Sequence, residues 1–184
     1  MRHSKLALFS STCLVMGTVL AFQKRDAPLP IVDDVDLSRY QGKWFEIARL
    51  PTRFERACAA DVSAEYSLRE DGNIRVVNSC KEKDGKVRIA KGIAKPRNPK
   101  GPKSQLKVSF FWPFYGDYWI LDLDRQYRWA LVGTPDRHYL WILSRDPELA
   151  GETYTRLLTK ARTLGFDTAR VIRTRQSVAA QSRF

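Results

Sequence analysis

Few residues in this chain are of a type that does covalent or acid–base chemistry, and their spacing decides what they can do. Beyond the apolar N-terminal stretch the histidine is His138 and the cysteines are Cys58 and Cys80. One imidazole and two thiols do not supply the four ligands of a structural zinc centre. His138 follows Pro135-Asp136-Arg137, a turn signal. A Ser-His-Asp relay in its commonest setting needs a serine on a sharp strand-to-helix turn, and no Gly-x-Ser-x-Gly phrase occurs. Glu46 lies within the apolar run Trp44–Ala48, where a carboxyl facing a pocket serves as a base or as a polar contact that orients a ligand. These residues favour binding over catalysis, with neither a metal nor a cofactor expected.

The N-terminus reads as an address. Arg2 and Lys5 precede the largely apolar Leu6–Phe22, and Val19-Leu20-Ala21 carries small residues where a signal peptidase cuts. Residues 1–21 are therefore predicted to be an export signal, with a retained anchor as the alternative, and 22–30 a polar spacer. Cys13 sits inside the apolar stretch behind Ser10-Ser11-Thr12, which is a poor lipid-acceptor context.

Export bears on the remaining cysteines. An even number in an oxidising compartment suggests a disulfide. Cys58 and Cys80 flank the hairpin turn Asp71-Gly72, but that turn sets position 80 opposite about position 63, so two separate buried thiols remain an alternative. The net charge is +12, and about +10 once Arg2 and Lys5 are removed. The basic residues are dispersed from Lys81 to Lys107 and again from Arg156 to Arg175, without a recognition motif. Nucleic acid is not an expected partner. Attraction to anionic lipid headgroups is one reading of the charge, and a solvated surface is the other.

The elements that must position these groups are strands. With 43% hydrophobic and 28% charged residues in 184, the composition suits one globular domain. Apolar alternation and turn signals predict strands at 44–50, 61–69, 74–79, 87–94, 106–110, 118–123, 127–133 and 139–144. Short links imply an antiparallel meander, and eight such strands close into a barrel wide enough for one small ligand. An open sandwich would need longer crossovers. A helix follows, capped by Asp146, with Pro147 in its first turn and Gly165 as its stop. Its stripe of Leu149, Tyr154, Leu157, Leu158, Ala161 and Leu164 should cover Phe45 and Ile47 on the outside of the barrel. The fold expected is all-β: an eight-stranded antiparallel up-and-down barrel, a calyx, with an external C-terminal helix. It should occupy 31–173, with 174–184 as a flexible tail.

Particular phrases then resemble one family. Gly42-Lys43-Trp44 opens the first strand, Gly116-Asp117-Tyr118 opens a late strand, and Arg145 ends the eighth. Together these are similar to the three signatures of lipocalins. The longer phrases Trp44–Ala48, Arg53–Arg56, Phe110–Trp119 and Trp141–Arg145 resemble the bacterial outer-membrane lipocalins, relatives of apolipoprotein D. The resemblance covers about residues 31–173. It implies that Arg145 packs across Trp44 at the closed end. It also implies binding, storage or transport of a small hydrophobic ligand, such as a fatty acid or lysophospholipid, for membrane maintenance in the periplasm or at the periplasmic face of the outer membrane. Members of this group are often lipid-anchored, and here the signal departs from their pattern.

Alternation assigns the lumen lining to Glu46, Ala48, Ala64, Tyr66, Leu68, Val76, Asn78, Val108, Phe110, Tyr118, Ile120, Trp129, Leu131, Tyr139 and Trp141. The same aromatics would also serve to fill a barrel core, which would make the protein a structural envelope module. A lipid-modifying enzyme is the remaining alternative. The bulky run Phe111-Trp112-Pro113-Phe114-Tyr115 at a strand–strand turn should expose apolar surface near one end, either to touch a membrane or to form a lip. A homodimer stays open.

Overall fold

The structure, a computed structural model, describes residues 28–177. The export signal, most of the spacer, Cys13 and residues 178–184 lie outside the described residues.

A short helix α1 (Leu37–Tyr40) precedes eight strands: β1 (Gly42–Arg49), β2 (Cys58–Leu68), β3 (Ile74–Glu82), β4 (Val87–Pro96), β5 (Gln105–Phe111), β6 (Phe114–Leu123), β7 (Trp129–Gly133) and β8 (Leu140–Ser144). Helix α2 (Gly151–Thr163), a 3₁₀ turn (Thr168–Arg170) and the two-residue β9 (Ile172–Arg173) follow. Neighbouring strands pair antiparallel in sequence order, and β1 pairs with both β2 and β8, so the eight strands close into a barrel. The Asp71-Gly72 and Asp84-Gly85 turns join β2 to β3 and β3 to β4, as their sequences predict.

Two separate clusters of buried side chains occupy the inside and the outside of the wall. Inside, Trp44, Tyr66, Ile74, Val76, Ala94, Leu106, Ile120, Ala130, Val132 and Leu143 pack with Val35 and Tyr40 from the α1 end. Outside, Phe45, Ile47, Leu121, Leu131, Leu140 and Ile142 pack beneath Leu157 and Ala161 of α2, as the apolar stripe of the helix requires. Arg156 and Lys160 of α2 reach Asp122 at 3.4 and 3.0 Å.

The helix is shorter than expected. It begins at Gly151 with Ala150 at its N-cap, and no side chain caps it. The backbone N–H of Asp146 instead donates to Ser144 Oγ, so Asp146-Pro147 belongs to the bend that turns the chain from β8 onto the outer wall.

β1 and β2 pair only from Gly42↔Tyr66 to Phe45↔Ser63 and then diverge. The C-terminal segment fills the gap. β9 pairs with Ala48 and Arg49, Thr174 N donates to Ile47 O, and Asp61 N donates to Arg175 O. Gln176 Nε2 spans the seam, donating to Glu46 O at 2.8 Å and Val62 O at 3.0 Å. Residues 174–177, expected to begin a free tail, are thus hydrogen-bonded into the wall as far as Ser177, whose N–H and hydroxyl both meet Asp61.

Candidate functional site

One end of the barrel is closed from the sequence outward. Gly42 has φ +88°, a conformation that suits glycine, and a Cβ there would lie 3.3 Å from Arg145 Nη1. This close passage brings Arg145 onto the Trp44 ring, with the guanidinium carbon 4.0 Å from the ring centre. The guanidinium also donates to the carbonyls of Tyr127, Lys43 and Arg39 at 3.2, 2.9 and 2.8 Å. Trp44 Nε1 donates to Tyr40 O at 2.8 Å. One arginine thereby ties α1, β1 and the β6–β7 turn across the floor.

Above the floor stand three tyrosines. Tyr118 OH is 2.9 Å from Tyr40 OH and 3.0 Å from Tyr66 OH. Burial pushes all three phenols up, Tyr66 to about 12, so they are neutral over the physiological range. Tyr40 and Tyr66 are buried, whereas Tyr118 is partly exposed. Ala64, Val108, Asn78 and Trp141 are partly accessible too. Cross-strand register places Ala64 with Asn78 and Tyr66 with Val76 on this inner face, and Leu106 with Tyr118.

The mouth holds a charged cluster. Arg49 pairs with Glu55 and lies 3.7 Å from Glu46, and Trp141 Nε1 donates to Glu55 Oε1 at 3.2 Å. Thr174 Oγ1 donates to Glu46 Oε1. Burial, reinforced by the neighbouring Glu55 carboxylate, holds the Glu46 carboxyl well above the usual carboxylate range. A raised carboxyl contributes stability that is complete below the unfolded value and is lost as pH rises through the folded value. Glu46→Gln should therefore flatten the upper part of the pH–stability curve and make the protein more stable at pH 8, compared by urea midpoints at pH 5 and pH 8.

Several residues assigned to the lumen lie elsewhere. The β1–β8 register shifts between Glu46 and Ala48, a bulge that turns Ala48 onto the outer face with Ile142. A second shift, between Ile120 and Asp122, pairs Asp122 with Leu131 on the outside. Leu131 and Trp129 therefore sit under α2, and Arg156 covers the Trp129 ring at 4.5 Å. The inner residues of β7 are Ala130 and Val132. Leu68 is 39% exposed beside Gln41 at the end of β2, and Phe110 is 45% exposed next to Gly92. Tyr139 stacks on Trp141 at 5.9 Å and meets the Phe54 ring, tilted, at 5.7 Å. Arg49, Glu55 and Tyr40 were missed because two of them precede or follow strands, and a bulge turns the third inward.

His138 lies in an exposed turn, with Nδ1 2.9 Å from Asp136. Among the described residues there is no group of three or more His, Cys, Asp or Glu side chains able to hold a metal. Two surface depressions, one along α2 and one around Pro135–His138 and Arg170, lie outside the barrel.

Cys58 and Cys80 form a disulfide with Cα atoms 5.5 Å apart. The register objection from the sequence is removed by shifts between Cys58 and Ala60 and between Ala60 and Ser63, which slide the start of β2 toward Cys80.

Comparison with known proteins agrees with this geometry. Residues 35–176 match the family model for a lipocalin-like domain. The chain is 46% identical over 143 residues to the outer membrane lipoprotein Blc of Escherichia coli K12, covering 77% of this chain and 80% of that protein. It is 39% identical over 156 residues to temperature-induced lipocalin-1 of Arabidopsis thaliana, covering 81% and 83%. The solved structure of insecticyanin from Manduca sexta superposes with a TM-score of 0.66 at 25% identity, covering 85% of this chain and 89% of that one. With its closed eight-stranded wall, its Arg145-capped Trp44 and these matches, the chain belongs to the lipocalin family.

Proposed function

We propose that this lipocalin binds and carries a small hydrophobic ligand, of the fatty acid or lysophospholipid class, in the bacterial cell envelope. The observation that carries the reading is the inner wall. Its apolar side chains are continuous from β2 to β8, yet Ala64, Val108, Tyr118 and Trp141 keep partial exposure although they face inward. Residual access on an inward face is what a lumen open to a ligand gives, and a filled core would remove it. An acyl chain seated there contributes roughly 0.8 kcal/mol per methylene. The polar groups at the mouth and the Tyr118 hydroxyl would set its orientation. Similarity to the outer membrane lipoprotein Blc supports the envelope, at the periplasmic face of the outer membrane, as its location.

Native mass spectrometry of the purified protein should detect a co-purifying acyl lipid. Ala64→Trp should then abolish lipid binding while the far-ultraviolet spectrum and the unfolding transition persist. Loss of fold in that variant, with no lipid on the wild type, would support a filled barrel instead.

The same protein has a surface suited to lipid headgroups. At the tip of the β5–β6 hairpin Phe111, Trp112 and Phe114 are 76%, 80% and 70% exposed, and Phe111 stacks on Phe114 at 6.3 Å. Lys95 and Lys107 are paired across β4 and β5 below them, and Lys95 lies 4.5 Å from the Tyr115 ring. Aromatic tips beside lysines favour a membrane interface. Replacing Phe111, Trp112 and Phe114 together with serine should reduce flotation with phosphatidylglycerol vesicles severalfold. Unchanged flotation would remove the hairpin from the reading.

A further inference from the structure

The three tyrosines above the floor have more donors than they can spend on one another. Each phenol carries one O–H, and the cluster contains two hydrogen bonds, Tyr40–Tyr118 and Tyr66–Tyr118. One O–H is left over whichever way the protons turn. If Tyr118 donates to a neighbour, the spare proton sits on Tyr40 or Tyr66, which are 1% and 6% exposed, and a buried donor is then left without an acceptor. If Tyr40 and Tyr66 both donate to Tyr118, the spare proton is on the one residue of the three that is only partly buried against the inner cluster. The second arrangement is favoured, and it leaves a neutral O–H donor on Tyr118 without an acceptor among the three tyrosines.

The surroundings select what it can meet. The side chains that pack around the cluster are Val35, Trp44, Ile74, Val76, Ala94, Leu106, Ile120 and their apolar neighbours. Arg145 lies against Trp44 and spends its N–H groups on three backbone carbonyls. Arg49 is committed to Glu46 and Glu55 at the mouth. An ionised carboxylate lowered to the floor would lose its water and find no free cation among the described residues packed there, a large cost. A carbonyl or ester oxygen asks only for one donor.

We propose that Tyr118 is the hydrogen-bond donor of a ligand subsite at the floor of the barrel, and that this subsite takes a neutral oxygen acceptor, a ketone or ester carbonyl, on the leading end of a long apolar chain. The inference rests on the lumen-binding reading and narrows it: the ligand enters with a neutral oxygen first, and an ionised fatty acid does not seat head-down.

The test uses 2-tridecanone labelled with ¹³C at the carbonyl, with dodecanoate at pH 8 as the ionised comparator. Both compete against N-phenyl-1-naphthylamine, a fluorescent lumen probe. Wild type should bind the ketone more tightly than dodecanoate and shift its carbonyl resonance downfield. Tyr118→Phe should lower ketone affinity by roughly three- to tenfold, the worth of one neutral hydrogen bond, and abolish the shift, with the fluorescent probe held as before. Tyr66→Phe leaves two hydroxyls, one mutual bond and a spare donor, so it should keep both the shift and the affinity. Equal losses in the two variants, or ketone binding without a shift, would overturn the proposal. If the fluorescent probe binds and the ketone does not, the subsite falls and the lumen reading stands. If neither binds, both fall together.

Discussion

Trp44→Ala is expected to destabilise the barrel by about 3–5 kcal/mol, the range for removing a buried tryptophan from a packed core. The indole is fully buried and closes the floor. Its removal also takes a partner from two neighbouring groups. Tyr40 O loses the indole N–H, and Arg145 loses the ring it lies on. The Tyr40 ring, 4.7 Å from the indole, loses its packing partner, and with it the position of the Tyr118 hydroxyl. The loss should be read as a fall in the urea midpoint at unchanged slope. Arg145→Lys is the informative companion. A lysine keeps the charge over Trp44 but cannot present three N–H groups in a fixed fork to Tyr127, Lys43 and Arg39. It should fall between wild type and Trp44→Ala. Stability equal to wild type would show that the charge over the ring is enough and the fork is not.

Removing the disulfide should have an effect of similar size. The Cys58–Cys80 bond closes a loop of 22 residues, for which chain-entropy arguments give about 3 kcal/mol. Cys58→Ser with Cys80→Ser should lower stability by about that amount, and dithiothreitol should do the same to wild type. The bond lies where β2 is least regular. Two register shifts and a positive φ at Asp61 fall between Cys58 and Ser63. Asp61 is also the residue that holds Ser177 and receives the C-terminal segment. Without the crosslink this corner should be the first to exchange amide hydrogens, ahead of β5–β8. A uniform rise in exchange across all strands would mean that the bond supports the whole barrel and not this corner.

The closed meander and the outer helix were legible in the sequence because each has a local mark, whereas the Trp44–Arg145 floor was legible only through the resemblance to the lipocalin signatures. Strand 2 alternates cleanly from Asp61 to Leu68, turns are written Asp-Gly, and the helix carries its apolar stripe. The lumen lining was less legible, for a physical reason. β1, β7 and β8 are apolar on both faces, since one face meets the lumen and the other meets α2. In Trp129-Ala130-Leu131-Val132 no polar residue marks the phase, so inside and outside were exchanged. Bulges at Ile47–Ala48 and Leu121–Asp122 compound this, because one extra residue moves every later side chain to the other face. The Cys58–Cys80 pairing was obscured in the same way by the shifts in β2. Tyr40 lay outside the predicted strands, so the third member of the tyrosine cluster had no sequence signal beyond its place before Gly42.

The seam between β1 and β2 has a consequence for how the molecule comes into being. β1 is made early, but its partner along one edge is β8 and the filler of its other edge is the segment 172–177. About a hundred residues must be synthesised before the first of these arrives, and more before the last. Until then the early strands can form a meander from β1 to β7 that has no way to become a ring. Such a chain stays an open sheet for nearly the whole of its synthesis. Its final step is a zipper drawn shut by some of the latest residues to emerge.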